Sequence, residues 1–298
     1  MFNVKQNVET NAAFSTDQEI FKSQISVQTE FFHGSVHQEA VRDFWRTELK
    51  AGTWVMDLLQ DGYIILFVKP PSGYAEPNNA SAIHEMSFVR QAVAELKRLG
   101  TIKFFGKKPH CVSPLTVSTK IDRDGSVKNR LCWDGSRCVN LCIKEQKVTL
   151  SHLQRALDIT DEFDFQVTYD LKAAYHHVKI HPSQTQYLGA AITTPEGSIQ
   201  YFLFLPFGLS SAVHCLTKLF KPVYAYIHEN GIRHSIYLDD GRIVAATKRL
   251  AEDHRTFVFD VLKKTGWILE VTKSDHEGDA SQSKYYLGFI VDTSTMTV

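Results

Sequence analysis

Two carboxylates stand side by side in SIYLDDGRIVA, residues 235–245, where Asp239 and Asp240 interrupt an otherwise apolar, β-branched run. A third, Asp170, closes the run FQVTYD 69 residues upstream. Asp240-Gly241 between apolar runs is a strong hairpin signal, because both residues tolerate positive φ. A plain turn would explain the pair without chemistry, but a turn needs no partner carboxylate. If the fold brings Asp170 beside Asp239, the two form a hard oxygen site suited to Mg2+. Two such ions about 4 Å apart can activate an attacking 3′-hydroxyl and stabilise a leaving pyrophosphate in an in-line displacement. Tyr175, five positions after Asp170, would then lie beside the sugar of a bound nucleotide, with the amides of residues 171–175 facing its phosphates. Taken singly, Asp170 also reads as a strand-end turn residue and Tyr175 as a core aromatic.

The elements that must position these residues follow from periodicity. Residues 165–170 read as a strand. From Ser210 a helical period runs through Leu216, Leu219, Phe220, Val223 and Ile227 to Asn230-Gly231, with Pro222 expected to kink it. Two strands flank Asp239-Asp240-Gly241. A second helix carries Leu250, His254, Phe257, Val261 and Leu262 on one face until Gly266, and WILEVT reads as a closing strand. A hairpin around Pro195-Glu196-Gly197 is an insertion. Setting it aside, the order is β-α-β-β-α-β, the ferredoxin-like plan of an antiparallel sheet backed by two helices. The expected fold class is therefore α+β, with Asp170 able to approach Asp239.

Upstream signals are weaker. GYIILFV at 62–68 reads as a short strand and the Pro-rich stretch 69–79 as a linker. Ser81 can cap a helix with Met86, Val89, Val93 and Leu96 on one face, stopped by Gly100. TIKFFG, SPLTVSTK and SVKNRLCW read as strands, the last following a turn at Asp124-Gly125. Residues 1–35 are polar, lack periodicity and read as disordered.

The chain has 298 residues and balanced charge, 33 Lys+Arg against 33 Asp+Glu, so net charge does not point to nucleic acid. The distribution does: residues 87–150 hold 13 Lys+Arg and 5 Asp+Glu. A basic segment joined to an acidic remainder suits a protein that grips a polyanion with one part and metal cations with another. A solvated charged face accounts for the same bias. No apolar run approaches the ~20 residues of a bilayer span, which points away from a membrane. The N-terminus lacks a signal peptide, and five cysteines are an odd count, so reduced thiols in an intracellular, unsecreted protein are expected.

The ordered set of motifs resembles the polymerase domain of reverse transcriptases over residues 50–298. YDLKAAY (169–175) resembles the first palm motif, LPFGLSSA (205–212) the template- and nucleotide-contacting loop, and YLDD (237–240) the catalytic hairpin. LEVTK (269–273) resembles the following motif and YLGFIV (286–291) the primer grip, while SPLTVSTK and RLCWDGSRCVN resemble the fingers motif. WVMDLLQDGYIILFVKPP and LPFGLSSAVHCLTKLFKPV look most like DIRS-type tyrosine-recombinase retrotransposons, with gypsy-like LTR elements and pararetroviruses as alternatives.

The resemblance implies the fingers and palm of a right-hand polymerase. It sets residues 36–80 as an extension and linker, 81–164 and 176–205 as fingers, and 165–175 and 206–298 as palm, with thumb and RNase H left to a longer polyprotein. It implies Asp170 and Asp239 as ligands of two Mg2+ ions (or Mn2+), Asp240 as a supporting third carboxylate, and the Leu171 carbonyl completing one shell. Arg130 would clamp the triphosphate, with Lys120 as second cation and Lys128 as its competitor. Lys273 would assist pyrophosphate departure and Tyr175 would exclude a 2′-hydroxyl. Phe207 and Gly208 would pack the nucleotide pocket, and Leu287 and Gly288 would position the primer end. The partners implied are an RNA or DNA template, a DNA primer and dNTPs. Asp134, Arg137 and Asn140 are spaced one residue wider than the family's fingers pattern, which leaves their roles open. Two further readings are a non-catalytic module that only binds nucleic acid, and a nucleotidyl cyclase on the same plan, although a cyclase would not explain LPFGLSSA or YLGFIV.

Cys111, Cys132, Cys138 and Cys142 lack a CxxC pair and read as free thiols rather than a zinc site. His177 and His181, four apart, fall on strand and turn and read as a satisfied or exposed histidine cluster rather than as ligands.

Overall fold

Trp45, one of the largest side chains in the core, is fully buried far from the sheet strands in sequence and donates its indole N–H to the Thr265 carbonyl at 3.1 Å. The helix that carries Trp45 is thus packed against the end of a helix some 220 residues later. The computed structural model describes residues 35–298 except 105, 122–124, 126, 151 and 195–196. The expected disorder of residues 1–34, most of the Asp124 turn and the Pro195-Glu196 tip lie outside the described residues. Ser35, assigned to the disordered stretch by its polarity, is instead buried and hydrogen-bonded to His177 Nδ1 at 2.9 Å.

Helices α1 (Glu39–Thr47) and α2 (Thr53–Asp61) open the fold. Residues 62–68 alternate as a strand should, with Tyr63 and Ile65 buried and Ile64, Leu66 and Val68 exposed. They make only isolated bridges, Tyr63 to Ile180 and Phe67 to Ile143, because their partners are single residues of irregular segments. The expected linker holds a strand, β1 (Tyr74–Ala75). The single helix expected from Ser81 is two, α3 (Ala80–His84) and α4 (Met86–Arg98), broken at Glu85 where ψ is 33°. Val89 and Val93 form its buried face, as the spacing requires.

Next come β2 (Ile102–Lys103), β3 (Cys111–Ser113), β4 (Leu115–Ile121), β5 (Val127–Trp133), α5 (Leu153–Leu157), β6 (Phe165–Asp170), β7 (Gly189–Thr194) and β8 (Gly197–Phe202). The last third holds α6 (Ala212–Glu229), β9 (Arg233–Tyr237), β10 (Asp240–Ala245), α7 (Lys248–Lys264), β11 (Ser283–Tyr286) and β12 (Phe289–Asp292). Ser81 is not a cap: its hydroxyl accepts the Val117 N–H at 3.1 Å and pairs with Thr116, fastening α3 to β4.

Among the described residues four sheets result, ordered β1-β3-β7-β8-β2, β6-β10-β9, β11-β12 and β4-β5. In the three-stranded sheet β10 is central and antiparallel to both neighbours, and α7 packs on β6 and β10. Helix α6 runs on through Pro222 with Leu216, Leu219, Phe220, Val223 and Ile227 all buried. On α7 the buried residues are Ala251, Val258, Val261 and Leu262, while Leu250 is exposed. Thr247 caps that helix by accepting the Leu250 N–H at 3.2 Å.

The fourth strand expected at 267–272 is reduced to a bridge between Leu269 and Leu171. Glu270 N–H reaches the Asp170 carbonyl at 2.8 Å, and Val271–Lys273 then coils into a 3-10 turn. That turn brings Lys273 back over the end of β6.

Candidate active site

The turn of the YLDD hairpin lies earlier than its sequence suggests. Tyr237 pairs with Asp240, so the two-residue loop is Leu238-Asp239, with Leu238 left-handed at φ 59°. Gly241 belongs to β10, opposite Tyr169. A Cβ there would lie 2.0 Å from the Tyr169 ring, which stacks on His234 and donates or accepts at its Nε2 (2.7 Å). The glycine is needed for an aromatic ring lying across the strand, not for the turn.

This register places Asp240 directly opposite Asp170, on one face of the sheet edge, with Asp239 at the tip. Leu171 N–H donates to the Asp239 carbonyl at 2.9 Å and Asp170 N–H to Ser274 Oγ at 3.1 Å. Lys273 Nζ donates to both Asp170 carboxylate oxygens, at 3.2 and 3.1 Å. Burial raises the Asp239 carboxyl, Asp170 adds to that, and Lys273 and Arg130 oppose it. Asp240 is pushed up to about 6 by burial and then by Asp239 and Asp170. Three acids crowded this way favour an added cation.

Tyr175 follows a left-handed Ala173 (φ 45°) in the 3-10 turn Ala174–His177. Its ring meets Phe207 edge-on, centroids 4.9 Å apart at 88°. Burial and then the Asp239 charge push its hydroxyl up to about 12, so it stays neutral beside that carboxylate. Phe207 and Gly208 are tied to the strand end: Trp133 N–H donates to Phe207 O at 2.7 Å, and a Cβ on Gly208 (φ 109°) would lie 1.9 Å from Trp133 O.

On the β4-β5 ribbon, Arg130 faces Ser118 and Lys120 faces Lys128. Strand alternation therefore puts Lys120, Lys128 and Arg130 on one face. The register holds both lysines there and does not select between them. Arg130 is exposed, and its charge acts on Asp239.

The three fingers residues of open role resolve as braces. Asp134 accepts from Ser136 and Asn79, Arg137 pairs with Glu76, and Asn140 donates to Gly208 O (2.9 Å) while accepting from Ser210 N–H (3.0 Å). Asn140 is the site residue that sequence reasoning left undefined, since its partners lie about 70 positions away. Leu287-Gly288 forms the two-residue loop of the β11-β12 hairpin, both left-handed at φ 49° and 94° as a type I′ turn requires.

Among the described residues no group of three or more His, Cys, Asp or Glu side chains converges as a ready metal cage. All five cysteines are free thiols. His177 bonds Ser35 and the Lys172 carbonyl, and His181 bonds Ser183. No described helix is long and apolar enough to cross a membrane.

The family profile described as reverse transcriptase (RNA-dependent DNA polymerase) matches residues 126–291, more than half of the chain. This chain belongs to the reverse transcriptase family. Its fold is the mixed α+β fingers and palm of that family. Among solved structures, it is similar to the foamy viral protease-reverse transcriptase in complex with dsDNA, with TM-score 0.58 and 18% identity over 85% of this chain and 55% of that one. The same enzyme with an RNA/DNA hybrid gives TM-score 0.56 and 17% identity, covering 85% and 35%. Prototype foamy virus protease-reverse transcriptase carrying the CSH mutation gives 0.57 and 19%, covering 77% and 29%. The chain thus spans roughly a third to a half of these proteins. No curated protein matches it.

Reverse transcriptases generally use Mg2+. The donors at this sheet edge fit that ion: they are all oxygen, and Mg2+ is usually held by one or two carboxylates plus water and substrate phosphates rather than by an all-protein cage.

Proposed function

We propose that this reverse transcriptase chain carries out template-directed DNA synthesis from dNTPs. The observation that carries the reading is the register of β6 against β10, which aligns Asp170 with Asp240 and sets Asp239 at the tip. Asp170 and Asp239 would hold Mg2+ (or Mn2+), with Asp240 in support and the Leu171 carbonyl available; bound there, the ions would activate the primer hydroxyl and neutralise the departing pyrophosphate. The chain's own residues do the rest. Arg130, with Lys120 or Lys128, draws the triphosphate onto the β4-β5 face. Tyr175 and Phe207 form the wall against which the sugar packs, and Gly208 lets the Phe207 loop lie flat on Trp133. Lys273 moves from the Asp170 carboxylate to the leaving phosphate as a proton donor. Leu287-Gly288 holds the primer end.

The foamy viral structures with dsDNA and RNA/DNA hybrid support a primer-template as partner. Residues 81–164 and 176–205 as fingers, and 165–175 and 206–298 as palm, fit this reading. Origin in a retroelement polyprotein, nearest to DIRS-type elements, rests on the motifs alone.

Primer extension on poly(rA)/oligo(dT) with Mg2+ tests the proposal. Asp239→Asn should cut extension at least 1,000-fold, about 4 kcal/mol in barrier, with unchanged circular dichroism. Wild-type binding of primer-template without extension would favour the binding-only module, and cyclic nucleotide formation would favour a cyclase.

A further inference from the structure

Arg242 stands two residues beyond Asp240 on the same strand, and strand alternation puts its side chain on the same face as the acids. It is fully buried, so no substrate reaches it. It has no carboxylate of its own among the described residues: the nearby Asp164 is already held by Arg233 through two contacts of 2.7 Å. Burial lowers its pKa to about 10, which leaves it a cation at neutral pH. A buried charge without a counter-ion is costly.

Its contacts show where the charge is spent. Nε donates to Gln166 Oε1, and Nη1 to the Ala156 carbonyl and the Thr160 hydroxyl, all at 2.8 Å. Nη2 is buried and makes no hydrogen bond among the described residues. With its oxygen taken by Arg242, the Gln166 amide turns its NH2 outward, to the Gln282 carbonyl at 2.6 Å and the Val291 carbonyl at 3.0 Å. Val291 is in β12, and Gln282 immediately precedes β11. The same hairpin returns to the acid strand through Tyr286, whose hydroxyl donates to the Asp240 carbonyl at 3.4 Å and whose ring lies 6.0 Å from the Arg242 guanidinium. Ala156, Tyr286 and Val291 form a small apolar cluster of their own, which closes the arrangement.

We propose that Arg242 and Gln166 are positioning residues that fix the β11-β12 hairpin, and with it the Leu287-Gly288 loop, at a set distance from the acids of β10. Arg242 orients the Gln166 amide, and the amide holds the hairpin by its two carbonyls. The inference rests on the polymerase reading in one respect: it makes the held object the primer end. The docking itself does not depend on it.

The test uses the full chain and Gln166→Glu. The carboxylate keeps an acceptor for Arg242, now as an ion pair, but loses both donors to the hairpin. Melting temperature should hold within about 2 °C. Amide exchange across residues 283–292 should rise at least tenfold while that of β6 and β10 stays unchanged. Primer extension should fall about tenfold in kcat, with KM for dTTP within twofold. Gln166→Leu should give the same exchange and extension pattern with a lower melting temperature, because Arg242 then loses its acceptor too. Unchanged hairpin exchange in Gln166→Glu overturns the proposal, as does faster exchange with wild-type kcat. If the wild-type protein extends no primer, the polymerase reading fails on its own, and hairpin exchange still decides whether the docking pair exists.

Discussion

Two hairpins of this protein turn on a leucine. In β9-β10 the loop is Leu238-Asp239, and in β11-β12 it is Leu287-Gly288. Both leucines are left-handed, at φ 59° and 49°, a conformation that costs an L-residue about 1–2 kcal/mol. The hairpins differ in what surrounds them. The first is buried almost throughout β10 and packs into the main core. The second exposes Tyr285, Phe289 and Ile290, buries Tyr286 and Val291 in a small cluster, and is tied to β6 and β10 by hydrogen bonds from Gln166 and Tyr286. Strain is held by dense packing in the first and by a few directed hydrogen bonds in the second.

Glycine substitutions should separate the two most widely. In Gly241→Ala the new methyl meets the rigid, stacked Tyr169 ring, and we expect a loss of about 3 kcal/mol, or roughly 6–10 °C by calorimetry. Gly288→Ala has open space, its nearest atom being Tyr285 Oη at 4.0 Å, so only the left-handed backbone resists, at about 1 kcal/mol. Equal losses would dissolve the contrast.

Acid should distinguish them next. Burial drops His234, in β9, to about 3, so the unfolded chain takes up a proton below pH 6.5 that the folded chain refuses. Stability present above pH 6.5 is therefore lost as pH falls, about 2 kcal/mol by pH 5. Asp240 works the other way: its raised value lets the folded state bind a proton between about 6 and 3.8. The difference between wild type and His234→Gln across pH 5–7 isolates the histidine, and a parallel pair of curves would remove it.

Tyr175 responds to Asp239 and belongs to the first hairpin's surroundings alone. Tyr175→Val should raise ribonucleotide incorporation about tenfold relative to dNTP, read from single-nucleotide extension. The smallest effect is expected at the leucines themselves. Asn tolerates the left-handed region, so Leu287→Asn should change stability by less than about 0.5 kcal/mol. Leu238→Asn forfeits core packing and should lose about 1 kcal/mol by denaturant titration.

What could be read from the sequence was local. The strand at 165–170, the buried stripe of α6 and the stop at Gly231 follow from period and turn chemistry, which act within a few residues. The acid triplet was legible because its spacing is family-specific. The position of the YLDD turn was not: Asp-Gly is the stronger turn signal, and only the Tyr169 ring, some 70 residues away, shows that Gly241 serves another end. The closing strand was legible only in part: Leu269 bridges Leu171 at the sheet edge, and the chain then coils into the 3-10 turn Val271–Lys273 instead of extending the pairing. Asn140 was legible as part of a motif but not in its role, and Arg242 carries no local signature at all, because the partners of both exist only once the chain is folded.

The contact between Lys273 and Asp170 bears on how the site would take up metal. A tethered ammonium already occupies the electrostatic place that a divalent ion would claim, so loading is a substitution rather than an addition. With Lys273 on Asp170 the acids are spared bare repulsion, and under the proposed reading the apparent metal affinity would be a ratio of two cations' claims on one carboxylate. Such a site is tuned by the reach of a lysine side chain as much as by the acids themselves.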